Sequence, residues 1–344
     1  MSITRSQRTA IMLGAFALSG AAIARARRKT RAIDLNGRVA LITGGSRGLG
    51  LAMARELGSR GARITIAARD QAELERASDD LEGRGIHVDV VPCDVADADA
   101  LRALVDAIVE REGRLDVLIN NAGVITVGPI DHMDAADFAQ SLDVHFWGPL
   151  HAIRAAVPHM RRQGGGRIVN ISSIGGRIGV PHLVPYCAGK FALAGLSDGV
   201  RAELAKDRVY VTTVIPGLMR TGSPFNAWFK GRNRDEFTWF TVSDSLPMFS
   251  LHAARAAWMV VDALQHGDPD LVIGWPAKLA VIINALAPTL VANAAAAAAR
   301  LLPAPDGAKG NTAASGWQSL SDWAPSRLTT LTNKAAVENN ELPR

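Results

Sequence analysis

Tyr186 and Lys190 are the residues in this sequence whose types and spacing first suggest chemistry. They stand four positions apart in Tyr186-Cys187-Ala188-Gly189-Lys190, inside a stretch predicted to be helical, so both side chains rise from one face. A free phenol titrates near ~10, too high for a base at neutral pH, and an adjacent ammonium favours the phenolate. Placed together, the pair can give or take a proton at a reacting oxygen. Alone, such a pair is no more than a surface contact. Ser173 adds weight, thirteen residues before Tyr186 at the carboxyl end of a predicted strand.

A second group of residues points to phosphate. Thr43-Gly44-Gly45-Ser46-Arg47-Gly48-Leu49-Gly50 closes a β-branched run and opens an amphipathic stretch with Leu51, Met53, Ala54 and Leu57. Glycines permit a tight turn and close backbone approach, and the first turn of a helix offers unpaired N–H groups and a positive dipole end to a pyrophosphate. These groups need elements to hold them. From Arg38 onward, β-branched runs alternate with longer amphipathic stretches. The pattern predicts strands at 38–45, 63–69, 87–95, 115–123, 166–172, 209–217 and 271–274, with helices near 48–60, 70–83, 97–112, 134–162, 184–207 and 252–266. Seven strands joined by six crossovers predict an α/β fold with one doubly wound, seven-stranded parallel sheet.

In this order the motifs resemble those of the short-chain dehydrogenase/reductase family over roughly 36–275. Thr43, Gly44, Gly48 and Gly50 match its T-G-x-x-x-G-x-G, Asn120-Asn121-Ala122-Gly123 its N-N-A-G, and Pro216-Gly217-Leu218-Met219-Arg220-Thr221 its P-G-x-x-x-T. Ser173 stands at the family's spacing before the Y-x-x-x-K. The resemblance implies a Rossmann-like domain that interconverts a carbonyl and an alcohol by hydride transfer from a nicotinamide. Tyr186 would protonate the oxygen, Ser173 would hold it, and Lys190 would lower the tyrosine pKa and bind the nicotinamide ribose. The cofactor would lie against Thr43, Gly44, Ser46, Arg47, Gly48, Leu49 and Gly50, with Asp94 and Val95 beside the adenine. Asn121, Ala122, Gly123, Pro216 and Gly217 would border it, Thr221 would meet the carboxamide, and Asn120 would stabilise strand and turn.

The second strand of such a sheet ends at the adenosine ribose, where an acid suits a 2′-hydroxyl and a base a 2′-phosphate. Arg69 stands there, and Arg47 lies in the glycine loop. A planar guanidinium suits a phosphate dianion, so the expected cofactor is NADP(H). Two positions depart from the family pattern. His145 replaces the asparagine that anchors a relay water, and either holds that water, shuttles the proton itself or blocks the route. Gly189 stands where a serine is common. Pro149 predicts a bend in the helix at this point.

Length and composition suit one domain with appendages: 344 residues, 48% hydrophobic and 21% charged. Of the net charge of +5, residues 1–38 carry +7, so the remainder is slightly acidic and nucleic acid is not an expected partner. Two distant cysteines, Cys93 and Cys187, form neither a metal motif nor a disulfide framework, which favours a reducing, cytoplasmic setting. No metal is expected. Residues 1–35 read as a basic, apolar leader whose run from Ala10 to Ala24 is either a membrane-surface or short signal anchor on the cytoplasmic face, or a disordered leader. Residues 218–250, with Trp228, Phe229, Trp239 and Phe240, read as a substrate lid or an ordinary surface helix pair. Residues 276–303 read as an apolar helical hairpin split at Pro288, lying on the domain, a partner or a bilayer, and 304–344 as a polar, flexible tail. The expected substrate is a lipophilic carbonyl or alcohol, and the expected assembly a homo-oligomer. Two rivals stand beside the reductase: an NADPH-binding sensor or membrane scaffold without turnover, and a sugar-nucleotide epimerase or dehydratase, for which the substrate domain is small.

Overall fold

The computed structural model describes residues 26, 28–246 and 250–342. The apolar run at 10–24 lies outside them. Among the described residues, no helix is long and apolar enough to cross a membrane.

The central sheet is formed by β1 (Val39–Thr43), β2 (Arg63–Ala68), β3 (Val88–Pro92), β4 (Val117–Asn120), β5 (Gly166–Ile171), β6 (Val209–Pro216) and β7 (Asp270–Ile273). Their spatial order is β7-β6-β5-β4-β1-β2-β3 and every pair is parallel. This is the doubly wound, Rossmann-like sheet expected from the sequence, with all seven strands within the predicted ranges to a residue or so. β1, Val-Ala-Leu-Ile-Thr, is buried along its whole length because helices cover both faces.

One face packs against α1 (Gly48–Ser59) and α8 (Ala253–His266), through Leu51, Met53, Leu57, Val260 and Leu264. The other packs against α3 (Ala98–Glu112) and α5 (Gly148–Arg162), through Leu101, Leu104, Ile153 and Met160. The chain reverses its winding between β1 and β4, so their carboxyl ends open a crevice where such sheets bind ligands.

The long helix predicted at 134–162 is present and runs continuously over 135–162, with a change of winding inside it. α4 (Ala135–Leu142) passes through a π-helical turn, Asp143–Trp147, into α5, whose first turn contains Pro149. Where the proline predicts a bend, the helix instead widens into a π-turn just before it.

The segment after β6 folds over the crevice. Helix α7 (Asn233–Ser245) packs Phe237 and Phe240 against Phe225, Phe229 and Leu183. Ala324 and Ala336, from the C-terminal stretch, complete this third cluster. The polar tail expected at 304–344 is therefore a packed element as far as it is described. Ala314–Ser315 pairs with Trp228–Phe229, α11 (Thr330–Glu338) lies against α7, and Thr329, Thr332, Asn339 and Glu341 are buried. Small residues such as alanine and threonine hide this burial from a hydropathy pattern. The preceding hairpin, α9 (Trp275–Leu286) and α10 (Pro288–Ala299), buries only Ala277 and leaves Leu286, Leu290 and the following Leu301 exposed.

Candidate active site

A cavity of about 790 Å³ opens at the carboxyl ends of the strands, and all but two of the sequence-predicted site residues line it. The exceptions, Thr43 and Gly50, act from behind. Thr43 Oγ1 accepts from the N–H groups of Asn121 (3.1 Å) and Ala122 (3.3 Å), and Asn121 Nδ2 donates to the Gly44 carbonyl (2.8 Å). These bonds tie the glycine loop to the end of β4. A Cβ on Gly50 would stand 2.0 Å from the Gly44 carbonyl oxygen, and one on Gly44, at φ +63°, 2.7 Å from Ala122 Cα. Only glycine allows the loop to turn this closely. Arg47 caps α1 without a side-chain hydrogen bond, so the helix N-terminus faces the cavity with main-chain donors and no capping side chain of its own.

Asn120 has the structural role expected of it. Its Nδ2 donates to Asn170 Oδ1 (2.8 Å), Asn170 Nδ2 to Ser197 Oγ (3.0 Å), and Ser197 meets Thr213 (2.7 Å), forming a buried polar ladder from β4 to β6.

Ser173, Tyr186 and Lys190 share one wall of the cavity. Tyr186 and Lys190 project from α6 (Val184–Leu204), and Ser173 follows β5. Burial pushes the phenol up to about 12, and a hydrogen bond with Ser173 opposes the shift. Burial pushes the Lys190 ammonium down to about 7. Its Nζ donates to the Ile171 carbonyl (2.8 Å) and stands 5.7 Å from the centre of the Tyr186 ring. The lysine-driven lowering of the tyrosine pKa expected from the sequence is thus outweighed by desolvation in this geometry.

His145 is fully buried beside the cavity. Its Nε2 accepts from the Val124 N–H (3.2 Å), so the proton is on Nδ1, which meets Ser141 Oγ (3.1 Å), and that hydroxyl donates to the Pro185 carbonyl (2.7 Å). Burial first, and the Lys190 charge second, hold the imidazolium form far below its ordinary range. Both ring nitrogens are occupied by protein, and the imidazole stands edge-on to Tyr186 at 5.4 Å. The same arrangement explains Gly189. A Cβ there would lie 2.7 Å from Ser141 Oγ and 2.9 Å from His145 Nδ1. The two departures from the family pattern are one packing solution.

At the adenosine side, Arg69 lines the cavity and is exposed, with no ion-pair partner among the described residues. Arg47 differs from expectation. Its guanidinium pairs with Glu73, and its Nε lies 3.4 Å from Glu341. Glu73 also accepts from Ser46 Oγ (3.1 Å). Asp94, Val95, Pro216, Gly217 and Thr221 line the cavity as expected.

Sequence reasoning missed three carboxyl groups here. Glu73 had a visible signal, since it lies one helical turn into the segment after Arg69. Glu341 and Asp244 had none, because each arrives by tertiary packing. Burial pushes Glu341 up to about 7 against the opposing pull of Arg47, and Asp244 up to about 8.

The family model for the short chain dehydrogenase matches residues 38–227. The chain belongs to the short-chain dehydrogenase/reductase family. It is 36% identical over 213 residues to the dehydrogenase/reductase SDR family protein 7-like of Anopheles gambiae, covering 58% of this chain and 65% of that relative, just under two thirds of its length. Among solved structures, L-sorbose reductase of Gluconobacter frateurii, complexed with NADPH and L-sorbose, is 25% identical with a TM-score of 0.63, over 70% of this chain and 97% of that one. A family member of Burkholderia phymatum in complex with NAD is 26% identical with a TM-score of 0.67, over 75% and 96%. The family is one of oxidoreductases. Both nicotinamide dinucleotides occur among the neighbours of this chain.

Proposed function

We propose that this protein is an NADPH-dependent oxidoreductase that interconverts a ketone or aldehyde and its alcohol. The observation that carries the proposal is the convergence of Ser173, Tyr186 and Lys190 on one wall of the cavity that the glycine loop opens. The neighbouring L-sorbose reductase, complexed with NADPH and L-sorbose, supports it.

The residues present suit a dinucleotide: an uncapped helix N-terminus, a loop with no room for a Cβ at Gly44 or Gly50, and a crevice at the reversal of the sheet. When bound, the nicotinamide supplies the hydride to the carbonyl carbon. Tyr186 keeps its proton at neutral pH and donates it to the carbonyl oxygen as the alkoxide develops. Ser173 Oγ hydrogen-bonds that oxygen more strongly as charge accumulates, so its contribution is largest in the transition state. Lys190, buried beside Tyr186, holds the ribose and steadies the phenolate left behind. Gly123 lies against this corner, where a Cβ would stand 3.8 Å from Lys190 Nζ. Arg69 favours NADPH, being the arginine free to meet a 2′-phosphate. The apolar wall of Val180, Leu183, Trp239 and Phe240 favours a lipophilic carbonyl.

Oxidation of NADPH by the purified protein, followed by loss of reduced-nicotinamide absorbance over a panel of aliphatic, aromatic and steroidal carbonyls, tests the proposal with Tyr186→Phe as the blank. Tyrosine-dependent turnover is the expected result. One arrangement favours the sensor as a second reading: His145 closed to water beside a phenol raised to about 12. NADPH binding with no turnover of any panel member would give that reading precedence.

A further inference from the structure

We propose that Asp244 is a specificity residue, whose carboxyl anchors a hydroxyl group carried by the same molecule whose carbonyl meets Tyr186. The inference rests on the reductase reading above and names its substrate class as hydroxylated carbonyl compounds of otherwise apolar character.

Asp244 comes from the last turn of α7, is 5% exposed, and lines the cavity together with Tyr186 and Ser173. Tyr186 packs against the cluster that holds Phe237 and Phe240 of the same helix, so α7 lies on the Tyr186 side of the cavity. Among the described residues, none donates a hydrogen bond to Asp244 or pairs with its charge, and burial alone shifts its titration. The neighbouring hydroxyls are directed elsewhere: Ser243 Oγ donates to the Trp239 carbonyl (2.5 Å) and Ser245 Oγ to the Thr241 carbonyl (3.0 Å). A buried carboxyl without a protein partner is costly, so it is expected where a ligand supplies the partner. The wall around it is apolar, and one polar group in an apolar wall is what orients a mostly apolar ligand. A carboxyl that keeps its proton to about 8 both donates and accepts, as a hydroxyl does, which favours a hydroxyl over an ammonium as its partner.

Cyclohexanone, 2-hydroxycyclohexanone, 4-hydroxycyclohexanone and 4-aminocyclohexanone, reduced with NADPH by the wild type, Asp244→Asn and Asp244→Leu, test the anchor. The expected result is a preference of roughly tenfold or more in kcat/KM for a hydroxy ketone over cyclohexanone, carried mainly by KM, that collapses towards unity in both variants. A ratio unchanged by the substitutions, or a preference for the amino ketone, overturns it. Asp244→Asn is nearly isosteric and carries the comparison if Asp244→Leu does not fold. Calorimetric binding of the same ketones to the NADPH-loaded protein reads the anchor without turnover. Binding that depends on Asp244 with no turnover removes the reductase reading and keeps the anchor, turnover insensitive to Asp244 does the reverse, and the absence of both overturns both.

A different observation, at the opposite end of the cavity, carries a second inference. We infer that residues 339–341 compete with the phosphates of the cofactor for the glycine loop. The Gly48 N–H, at the start of α1, donates to the Asn339 carbonyl (2.9 Å). Asn340 Nδ2 donates to the carbonyls of Ser46 (2.9 Å) and Glu73 (3.0 Å), and Arg76 Nε donates to Asn340 Oδ1 (2.9 Å). Asn226 Nδ2 donates to both the main-chain carbonyl (2.8 Å) and Oε2 (2.6 Å) of Glu341. Glu341 also neutralises Arg47 and reaches to within 2.6 Å of where a Cβ on Gly48 would stand. A main-chain donor and a guanidinium that suit a phosphate are thus taken by the protein's own carbonyl and carboxyl groups.

Fluorescence titration of NADPH into the full chain, Asn340→Ala, which removes the bonds to Ser46, Glu73 and Arg76, and a chain ending at Glu338 decides this. The expected result is tighter binding by roughly five- to fiftyfold in both variants, the range of ordinary coupling between sites. Weaker or unchanged binding overturns the inference and would make the segment a wall of the occupied site. Asn340→Ala carries the test if the shortened chain does not fold.

Discussion

Tyr186, Gly189 and His145 carry the predictions that belong to single residues. Tyr186→Phe removes the proton donor and little else, so turnover should fall by roughly 10²- to 10⁴-fold. The dissociation constant for NADPH should stay within about threefold, since the phenolic oxygen is one contact among many; kinetics and fluorescence titration check the two halves. Gly189→Ser drives a side chain into Ser141 and His145, and overpacking of this kind costs about 1–3 kcal/mol, to be read by urea unfolding. His145→Asn shortens the ring that fills this space. Combined with Gly189→Ser it should be less destabilising than the sum of the single changes, a coupling that a double-mutant cycle measures directly. An additive result would mean that the two departures from the family pattern are unrelated. At the adenosine end, Arg69→Glu replaces the free guanidinium with a charge that repels a 2′-phosphate. The NADPH-to-NADH ratio of kcat/KM should drop by roughly 10- to 100-fold, the worth of a charge-assisted hydrogen bond. An unchanged ratio would remove Arg69 as the source of preference.

At the scale of elements, the site depends on two helices that could have been ordinary. The π-bulge at Asp143–Trp147 brings His145 inward and lets α5 restart at Gly148 with Pro149 in its first turn. The lid helix α7 is held by aromatic packing, with Phe229 and Phe237 fully buried at a ring separation of 5.4 Å. Phe237→Ala should cost about 3–5 kcal/mol in chemical denaturation. Because Asp244 rides on the same helix, the change should raise KM for hydroxylated ketones more than for cyclohexanone. Equal effects on both would detach the lid from specificity.

At the scale of the whole molecule, the C-terminal stretch crosses the lid and ends on the first turn of α1, linking both ends of the cavity to one another. Its docking is pH dependent through Glu341. Burial raises the folded-state pKa from 4.5 to about 7, so this group's contribution is fully present below about 4.5 and is lost as pH rises through about 7. Hydrogen-exchange protection of α11, corrected for intrinsic rates, should therefore weaken between these limits in the wild type and lose that dependence in Glu341→Gln. A flat profile in the wild type would show that Arg47 compensates the charge.

Periodicity and turn chemistry in the sequence by itself determined the seven parallel strands and the glycine loop, and the resemblance of its motifs to the family singled out Ser173, Tyr186 and Lys190. Their determinants are local or lie at short, regular spacing: a buried parallel strand must be continuously apolar, and Gly44 and Gly50 are required by the turn they make. Only the tertiary structure decided what His145 does, because a ring nitrogen's role depends on which donors reach it, here Val124 and Ser141 from separate segments. It alone brought Asp244 and Glu341 into the cavity. Asp244, 54 residues after Lys190, and Glu341, near the far end of the sequence, carry no periodic signal, and their chemistry is set by burial and neighbours that no spacing along the sequence encodes.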